Sequence, residues 1–92
     1  MIRCESNRCE ISGEITVDTS AALLKQLQPH IQNGLATLDL SSVTAIDSAA
    51  LAVIFSARRL AASNGRNLAL TGLPANLAPL ADLYGVADLL AA

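Results

Sequence analysis

The chain has 92 residues, enough for one domain but too few for a second hydrophobic core. Its formal net charge is −2, so we do not expect a basic patch of the kind that binds nucleic acid. Apolar residues make up 52% of the sequence, but Asp39, Asp47 and Arg58 interrupt the richest region, and no run approaches the roughly 20 residues of a membrane-spanning helix.

The N-terminal residues predict a cytoplasmic protein. Arg3 and Glu5 are not followed by the apolar stretch of a secretory signal. Cys4 and Cys9 are too few, and wrongly spaced, for a zinc site or a redox CxxC motif. We therefore expect neither a metal nor a cofactor.

The first fifteen residues predict a β-hairpin that turns at Ser6 and Asn7. That register places four apolar side chains on one face: Ile2, Cys4, Cys9 and Ile11. It places two pairs of opposite charges on the other face: Arg3 with Glu10 and Glu5 with Arg8. The two cysteines would face each other, so the geometry allows a disulfide. In a reducing cytosol we expect buried thiols instead.

A first helix is predicted after Gly13. Asp18 or Thr19 is its N-cap, and Asn33 with Gly34 ends it. Its apolar positions recur with a helical period: Leu23, Leu24, Leu27 and Ile31. Pro29 should kink or break this helix, because proline removes a backbone donor. A short strand, Thr37–Leu40, then leads through residues 41–46 to Asp47.

The second predicted helix has the most regular pattern. From Ala50, an apolar stripe follows the spacing i, i+3, i+4, i+7: Ala50, Val53, Ile54, Ala57, Leu60 and Ala61. The opposite face carries small or polar residues: Ala49, Ala52, Ser56, Arg59 and Ser63. Such a face is either an ordinary solvent-facing surface or an interface. Its single charge favours an interface, since exposed helices usually carry more Lys and Glu.

The remaining sequence predicts a strand and a last helix. Leu68–Thr71 forms the strand, and Asn76 caps a helix that ends at Gly85. Strands that alternate with helices after an N-terminal hairpin indicate an α/β fold, with a mixed β-sheet packed against α-helices in one domain over residues 1–92.

Asp47 and Ser48 form the main candidate site, between a strand and the start of a helix. Free backbone N–H groups and the helix dipole favour negative charge there. One of the two residues is the N-cap. If Asp47 takes that position, the Ser48 hydroxyl remains available to a partner or to a kinase, and a phosphate would add roughly −1.5 to −2 charges.

Catalysis is not predicted. His30, the one histidine, falls in the first helix, and no nucleophile elbow surrounds Ser48. Asp39 is more typical of a turn or a strand edge than of a ligand or a phospho-acceptor. Nucleotide-binding glycine motifs are absent from the sequence.

Three segments in order resemble the successive signatures of STAS domains, the family of sulfate-transporter domains and anti-sigma-factor antagonists. They are Ile11–Ile15, Leu38–Ser41 and Ile46–Leu51. Within this family the chain is most similar to the MlaB type, the small STAS subunit of phospholipid-transport ABC systems. The C-terminal pattern carries that resemblance at matching spacing: Gly65, Leu70, Gly72, Leu77, Leu80, Ala81, Leu83 and Tyr84.

The resemblance implies a non-enzymatic cytoplasmic subunit that binds and supports the transporter's ATPase and reaches the inner membrane only through that partner. The contact residues it implies, together with the face described above, are Asp47, Ser48, Ala49, Ala52, Ser56 and Arg59. The alternative is an anti-sigma-factor antagonist whose partner kinase phosphorylates Ser48. Antagonists usually carry glycine where this chain has Ala50, and a methyl group there is expected to crowd the partner's backbone and weaken that alternative.

Overall fold

The computed structural model describes residues 1–91, which form a mixed sheet packed against helices, as predicted. The elements in chain order are β1 Ile2–Glu5, β2 Arg8–Ile15, α1 Ser20–Gln32, β3 Thr37–Ile46, α2 Ser48–Ser63, β4 Ala69–Thr71, α3 Leu77–Leu83 and α4 Ala87–Ala91. The four strands lie in the order β1-β2-β3-β4. β1 is antiparallel to β2, whereas β2, β3 and β4 are parallel to one another.

The hairpin has the predicted register. The cross-strand pairs are Ile2–Ile11, Arg3–Glu10, Cys4–Cys9 and Glu5–Arg8. Ser6 adopts a φ of 53° in the turn, a left-handed conformation that closes the two-residue loop. The predicted charge pairs face each other, but among residues 1–91 the one salt bridge joins Arg8 to Asp39 on β3 instead.

The expectation of two free thiols is wrong in this structure, because Cys4 and Cys9 form a disulfide. The register explains why the two sulfurs can meet. The cysteines are directly opposite each other, with their Cα atoms 4.1 Å apart. The Cys9 side chain is buried and that of Cys4 is half-buried.

The hydrophobic core lies between one face of the sheet and helices α1 and α2. Both helices connect adjacent parallel strands, and right-handed crossovers place them on the same face, where they contact each other. The core residues of the two central strands include Ile11, Ile15, Leu38 and Leu40, all at most 1% exposed. The other face of the sheet is polar and carries Arg3, Glu5, Arg8 and Glu10.

Helix α1 buries Leu23, Leu27 and Ile31, as its periodicity predicted. Pro29 does not break the helix, which continues to Gln32. The exposed proline lies close to the helix end, and its carbonyl still accepts a hydrogen bond from the Asn33 amide at 3.0 Å. A proline near the last turn removes one backbone bond and leaves the rest of the helix intact.

Two elements depart from the prediction. β3 extends to Ile46 and is longer than the predicted Thr37–Leu40, and α4 follows α3. Arg58 of α2 contacts α4 through its Nη1, which donates to the Leu89 carbonyl at 2.8 Å, and Ala87 and Leu90 pack against the core. This helix was not predicted, because its position depends on those distant contacts.

Asp39 is a buried charged residue of β3 on the polar side of the sheet, which corrects its interpretation as a simple turn or edge residue. Its Oδ1 accepts a hydrogen bond from the Ser41 amide at 3.0 Å, and its Oδ2 accepts one from Arg8 Nη2 at 2.7 Å. The hydrogen bonds from Ser41, and then the Arg8 guanidinium, hold the pKa of this carboxyl below its ordinary value, although burial opposes the shift.

Candidate functional site

The candidate site lies at the carboxyl ends of the two central strands. Ile15, the last residue of β2, pairs with Ile46, the last residue of β3. The Asp47 amide donates to the Ile15 carbonyl at 3.3 Å. The loop before α1 and the start of α2 are therefore neighbours at one edge of the sheet.

Asp47 joins these two segments through its carboxylate. Its Oδ1 accepts a hydrogen bond from the Ala49 amide at 2.8 Å, which makes Asp47 the N-cap of α2. Its Oδ2 accepts a hydrogen bond from the Val17 amide at 3.0 Å. One side chain thus satisfies a free donor of the helix and holds the preceding loop against it.

Ser48 is the first residue of α2 and is exposed. Because Asp47 occupies the N-cap, the Ser48 hydroxyl is not needed to cap the helix. It makes no hydrogen bond to the part of the chain that the structure describes. The arrangement leaves a free hydroxyl at the positive end of a sixteen-residue helix.

The predicted contact residues share one side of α2. We call the surface made by Ser48, Ala49, Ala52, Ser56 and Arg59 the α2 face. Ser48, Ala52 and Arg59 are exposed, whereas Ala49 and Ser56 are half-buried. Arg59 Nη2 donates to Ser56 Oγ at 3.0 Å, so the guanidinium lies along the helix. The side chains of this surface are short, except for the one cation at its far end.

Two features near the α2 face were not predicted from the sequence. Val17 is 73% exposed in the loop that Asp47 holds. The only sequence signal for this exposed apolar residue was its position between the polar residues Thr16 and Asp18. A groove of about 410 Å³ lies beside the second half of α2, and its lining includes Phe55, Arg58, Arg59, Arg66, Leu68 and Leu89. Leu89 of α4 lines it together with residues of α2 and of the segment after α2, so no local motif marked it.

The family of the chain follows from its sequence pattern over nearly its whole length. A family model described as "Mlab, STAS domain" matches residues 3–91. The chain belongs to the STAS domain family. No curated protein is significantly similar to this STAS domain in sequence.

Solved STAS-type structures share its fold. A protein described as an anti-sigma factor antagonist from Thermotoga maritima superposes with a TM-score of 0.73 at 18% identity, over 97% of this chain and 80% of that one. A sulfate transporter family protein from Wolinella succinogenes gives a TM-score of 0.69 at 20% identity, over 91% of this chain and 70% of that one. The anti-sigma factor antagonist SpoIIAA in its unphosphorylated form gives 0.66 at 11% identity, over 84% of this chain and 76% of that one. At these identities the similarity shows the fold alone.

The structure corrects the expected effect of Ala50. Its side chain is 0% exposed and packs in the core of this STAS domain, on the side of α2 away from the α2 face. Its methyl group therefore cannot crowd an approaching partner. The absence of glycine at this position is no argument against a kinase acting on Ser48.

His30 and Ser48 lie at opposite ends of the sheet. α1 begins after the carboxyl end of β2 and runs back toward the start of β3, which places His30 beside Cys9 near the start of β2. Ser48 follows the carboxyl end of β3. The one histidine of this STAS domain therefore cannot act as a base for Ser48.

Among residues 1–91, no helix is both long and apolar enough to cross a bilayer.

Proposed function

We propose that this STAS domain is a non-enzymatic accessory subunit that binds and supports the ATPase of a phospholipid-transport (Mla) ABC transporter. Two observations support this proposal. The α2 face is made mainly of short side chains that a partner can approach, and the matching family model bears the MlaB description. The contact residues in this proposal are Asp47, Ser48, Ala49, Ala52, Ser56 and Arg59. The domain would lie in the cytoplasm and reach the inner membrane through the ATPase.

Each part of the α2 face has a distinct role in this proposal. The Ser48 hydroxyl supplies a hydrogen bond at the centre of the contact, and Asp47 keeps it available by capping the helix. Ala49 and Ala52 let a partner helix approach closely, because the distance between packed helices depends on the side chains at the contact. Arg59 adds a charge at the rim, which contributes more to the rate of association than to affinity.

The groove beside α2 extends the proposed contact. Its lining combines the apolar side chains of Phe55, Leu68 and Leu89 with three arginines. Aromatic and arginine side chains are more frequent in protein interfaces than on the rest of the surface. An apolar side chain of the ATPase with an acidic neighbour fits such a groove.

A second candidate is an anti-sigma-factor antagonist that is regulated by phosphorylation of Ser48. The free, exposed hydroxyl supports it, as do the similar folds of two proteins described as such antagonists. A phosphoserine would add roughly −1.5 to −2 charges to the α2 face. A partner that docks there would have to remove water from these charges. Phosphorylation would then release the partner.

The test is a direct binding measurement with the purified ATPase of the transporter. Ser48→Arg should weaken binding by about 30-fold, the effect of losing about 2 kcal/mol at the centre of an interface. Gln28→Arg adds the same charge on an exposed position of α1 and should bind like wild type. Equal affinity of Ser48→Arg and wild type would contradict the site, and no binding by wild type would contradict the function.

The same protein distinguishes the second candidate. Incubation with a kinase-type anti-sigma factor and ATP, followed by mass spectrometry, would locate a phosphate on Ser48 if that candidate is correct. The Ser48→Ala variant is the control for the modified position. An unmodified Ser48 together with tight ATPase binding excludes the antagonist.

A further inference from the structure

Cys4, Cys9 and His30 form a cluster at the end of the fold opposite Ser48. They come from β1, β2 and the last turn of α1, respectively. The two sulfurs and an imidazole nitrogen all lie within 4.8 Å of one another. The fold thus brings His30 to the two cysteines of the hairpin. All three side chains are good ligands for soft and borderline metal ions.

The ligand atoms of the cluster lie close enough together for small movements to give the spacing of a zinc site. Zn–S bonds of about 2.3 Å and Zn–N bonds of about 2.0 Å place tetrahedral ligand atoms roughly 3.5–3.8 Å apart. The histidine nitrogen is already within reach of both sulfurs, and the sulfurs only need to separate from their bonded position. The cysteines sit on paired strands, so the backbone holds both Cβ atoms on the same side of the hairpin.

The surroundings of the cluster also suit zinc. Cys9 is 1% exposed and in the core, whereas His30 is exposed. Two thiolates cancel the charge of Zn²⁺, so the loaded centre would place no net charge beside the apolar core. The exposed side leaves the fourth coordination position to water, as in other sites with three protein ligands.

We propose that Cys4, Cys9 and His30 form a redox-gated zinc site, with the disulfide as its metal-free state. A dithiol reductant passes two electrons and two protons to the Cys4–Cys9 disulfide and becomes a disulfide itself, which leaves two thiols. Zn²⁺ then releases the two thiol protons to solvent and forms two Zn–S bonds and one Zn–N bond to the neutral His30 imidazole.

The site would connect the hairpin to α1 in either redox environment. In the oxidised protein the disulfide crosslinks β1 and β2 alone. In the reduced, zinc-loaded protein the hairpin is also fixed to the last turn of α1 through His30. The proposal is independent of the binding role of Ser48, which lies at the other end of the sheet.

Metal titration of the full chain in its two redox forms tests the site. The protein is reduced with a phosphine, freed of reductant without oxygen, and titrated with Zn²⁺ or with Co²⁺ as a spectroscopic probe. Reduced wild type should bind one equivalent and show thiolate-to-cobalt charge-transfer and tetrahedral d–d absorption. The disulfide form should bind none.

Variants assign the ligands. His30→Ala should weaken zinc binding by at least about tenfold. Losing a residue that only hydrogen-bonds to a metal ligand already has an effect of that size. Gln28→Ala, on an exposed position of the same helix, should bind like reduced wild type. Cys4→Ser with Cys9→Ser should abolish the cobalt bands.

Three results would overturn the proposal. One is binding by reduced wild type that is no tighter than binding by the double serine variant. Another is equal affinity of His30→Ala and Gln28→Ala. The third is a reduced protein that unfolds by circular dichroism and is not refolded by zinc.

Discussion

Arg8 and Asp39 are 31 positions apart and meet in a salt bridge of 2.7 Å between Nη2 and Oδ2. The pair links β2 to β3 on the polar side of the sheet. The guanidinium is half-exposed, whereas the carboxylate is almost buried. The Asp39 carboxylate also accepts a hydrogen bond from the Ser41 amide, so two donors stabilise its negative charge.

Asp39 should make the stability of the protein depend on pH in the acid range. Its folded-state pKa lies below the unfolded value of about 3.9, so its contribution is fully present above that pH. The contribution is lost as the pH falls through the lower, folded-state pKa. Urea unfolding of wild type and Asp39→Asn should give free-energy differences that shrink below about pH 4.

The Arg8→Gln variant is the partner control for that experiment. It removes the guanidinium but keeps the hydrogen bonds from Ser41, which contribute most to the lowered pKa. Its acid-range pH dependence should therefore lie between those of wild type and Asp39→Asn. A difference between wild type and Asp39→Asn that stays constant at all pH values would contradict the assignment.

Replacing Asp47 by alanine should destabilise the protein by about 1–2 kcal/mol, because α2 loses its N-cap and the loop at Val17 loses its acceptor. Asp47→Asn keeps a good capping oxygen and should cost clearly less. Urea unfolding measures both free energies. Equal losses for the two variants would show that the capping bond contributes little.

Gly72→Ala should be far more harmful than Gly85→Ala. Both glycines have positive φ, 62° and 70°, so both variants incur the left-handed penalty of about 1–2 kcal/mol. At Gly72 the new Cβ would lie 2.6 Å from Ser41 Cβ and 2.7 Å from its backbone nitrogen, whereas nothing lies within 4 Å at Gly85. We expect an additional loss of about 1–3 kcal/mol at Gly72 by thermal unfolding.

Arg58→Ala should release α4 while leaving the rest of the fold in place. The guanidinium donates to the Leu89 carbonyl at 2.8 Å and the Leu90 carbonyl at 3.4 Å, which a five-residue helix cannot satisfy internally. Hydrogen exchange of the α4 amides should accelerate in this variant. Arg59→Ala is the adjacent control, and its α4 amides should exchange like those of wild type.

The elements with local signals were predicted well. The hairpin register follows from alternation of apolar and charged residues, and the core side of α2 from its helical period. The N-cap could be narrowed to Asp47 or Ser48, because capping is a local property. The structure resolves that choice in favour of Asp47.

The features that depend on distant residues could not be predicted. α4 is only five residues long and depends on Arg58, and isolated helices of that length are unstable. Arg8 faces Glu5 as predicted, but its salt bridge is to Asp39, whose position depends on the β2–β3 register. The proximity of His30 to the cysteines likewise requires the full α1 crossover, which the sequence does not position to within a few ångströms.

The parallel pairing of β2 with β3 governs how fast the fold can form. Cys9 pairs with Leu38 and Ile15 with Ile46, so each contact closes a loop of roughly thirty residues. Closing such a loop lowers the conformational entropy of the chain before the strands form their hydrogen bonds. The hairpin closes through a two-residue turn, and such hairpins form in about 1–10 microseconds. During synthesis, β1 and β2 can therefore associate as soon as they leave the ribosome, whereas the central pair must wait for α1 and β3 to emerge.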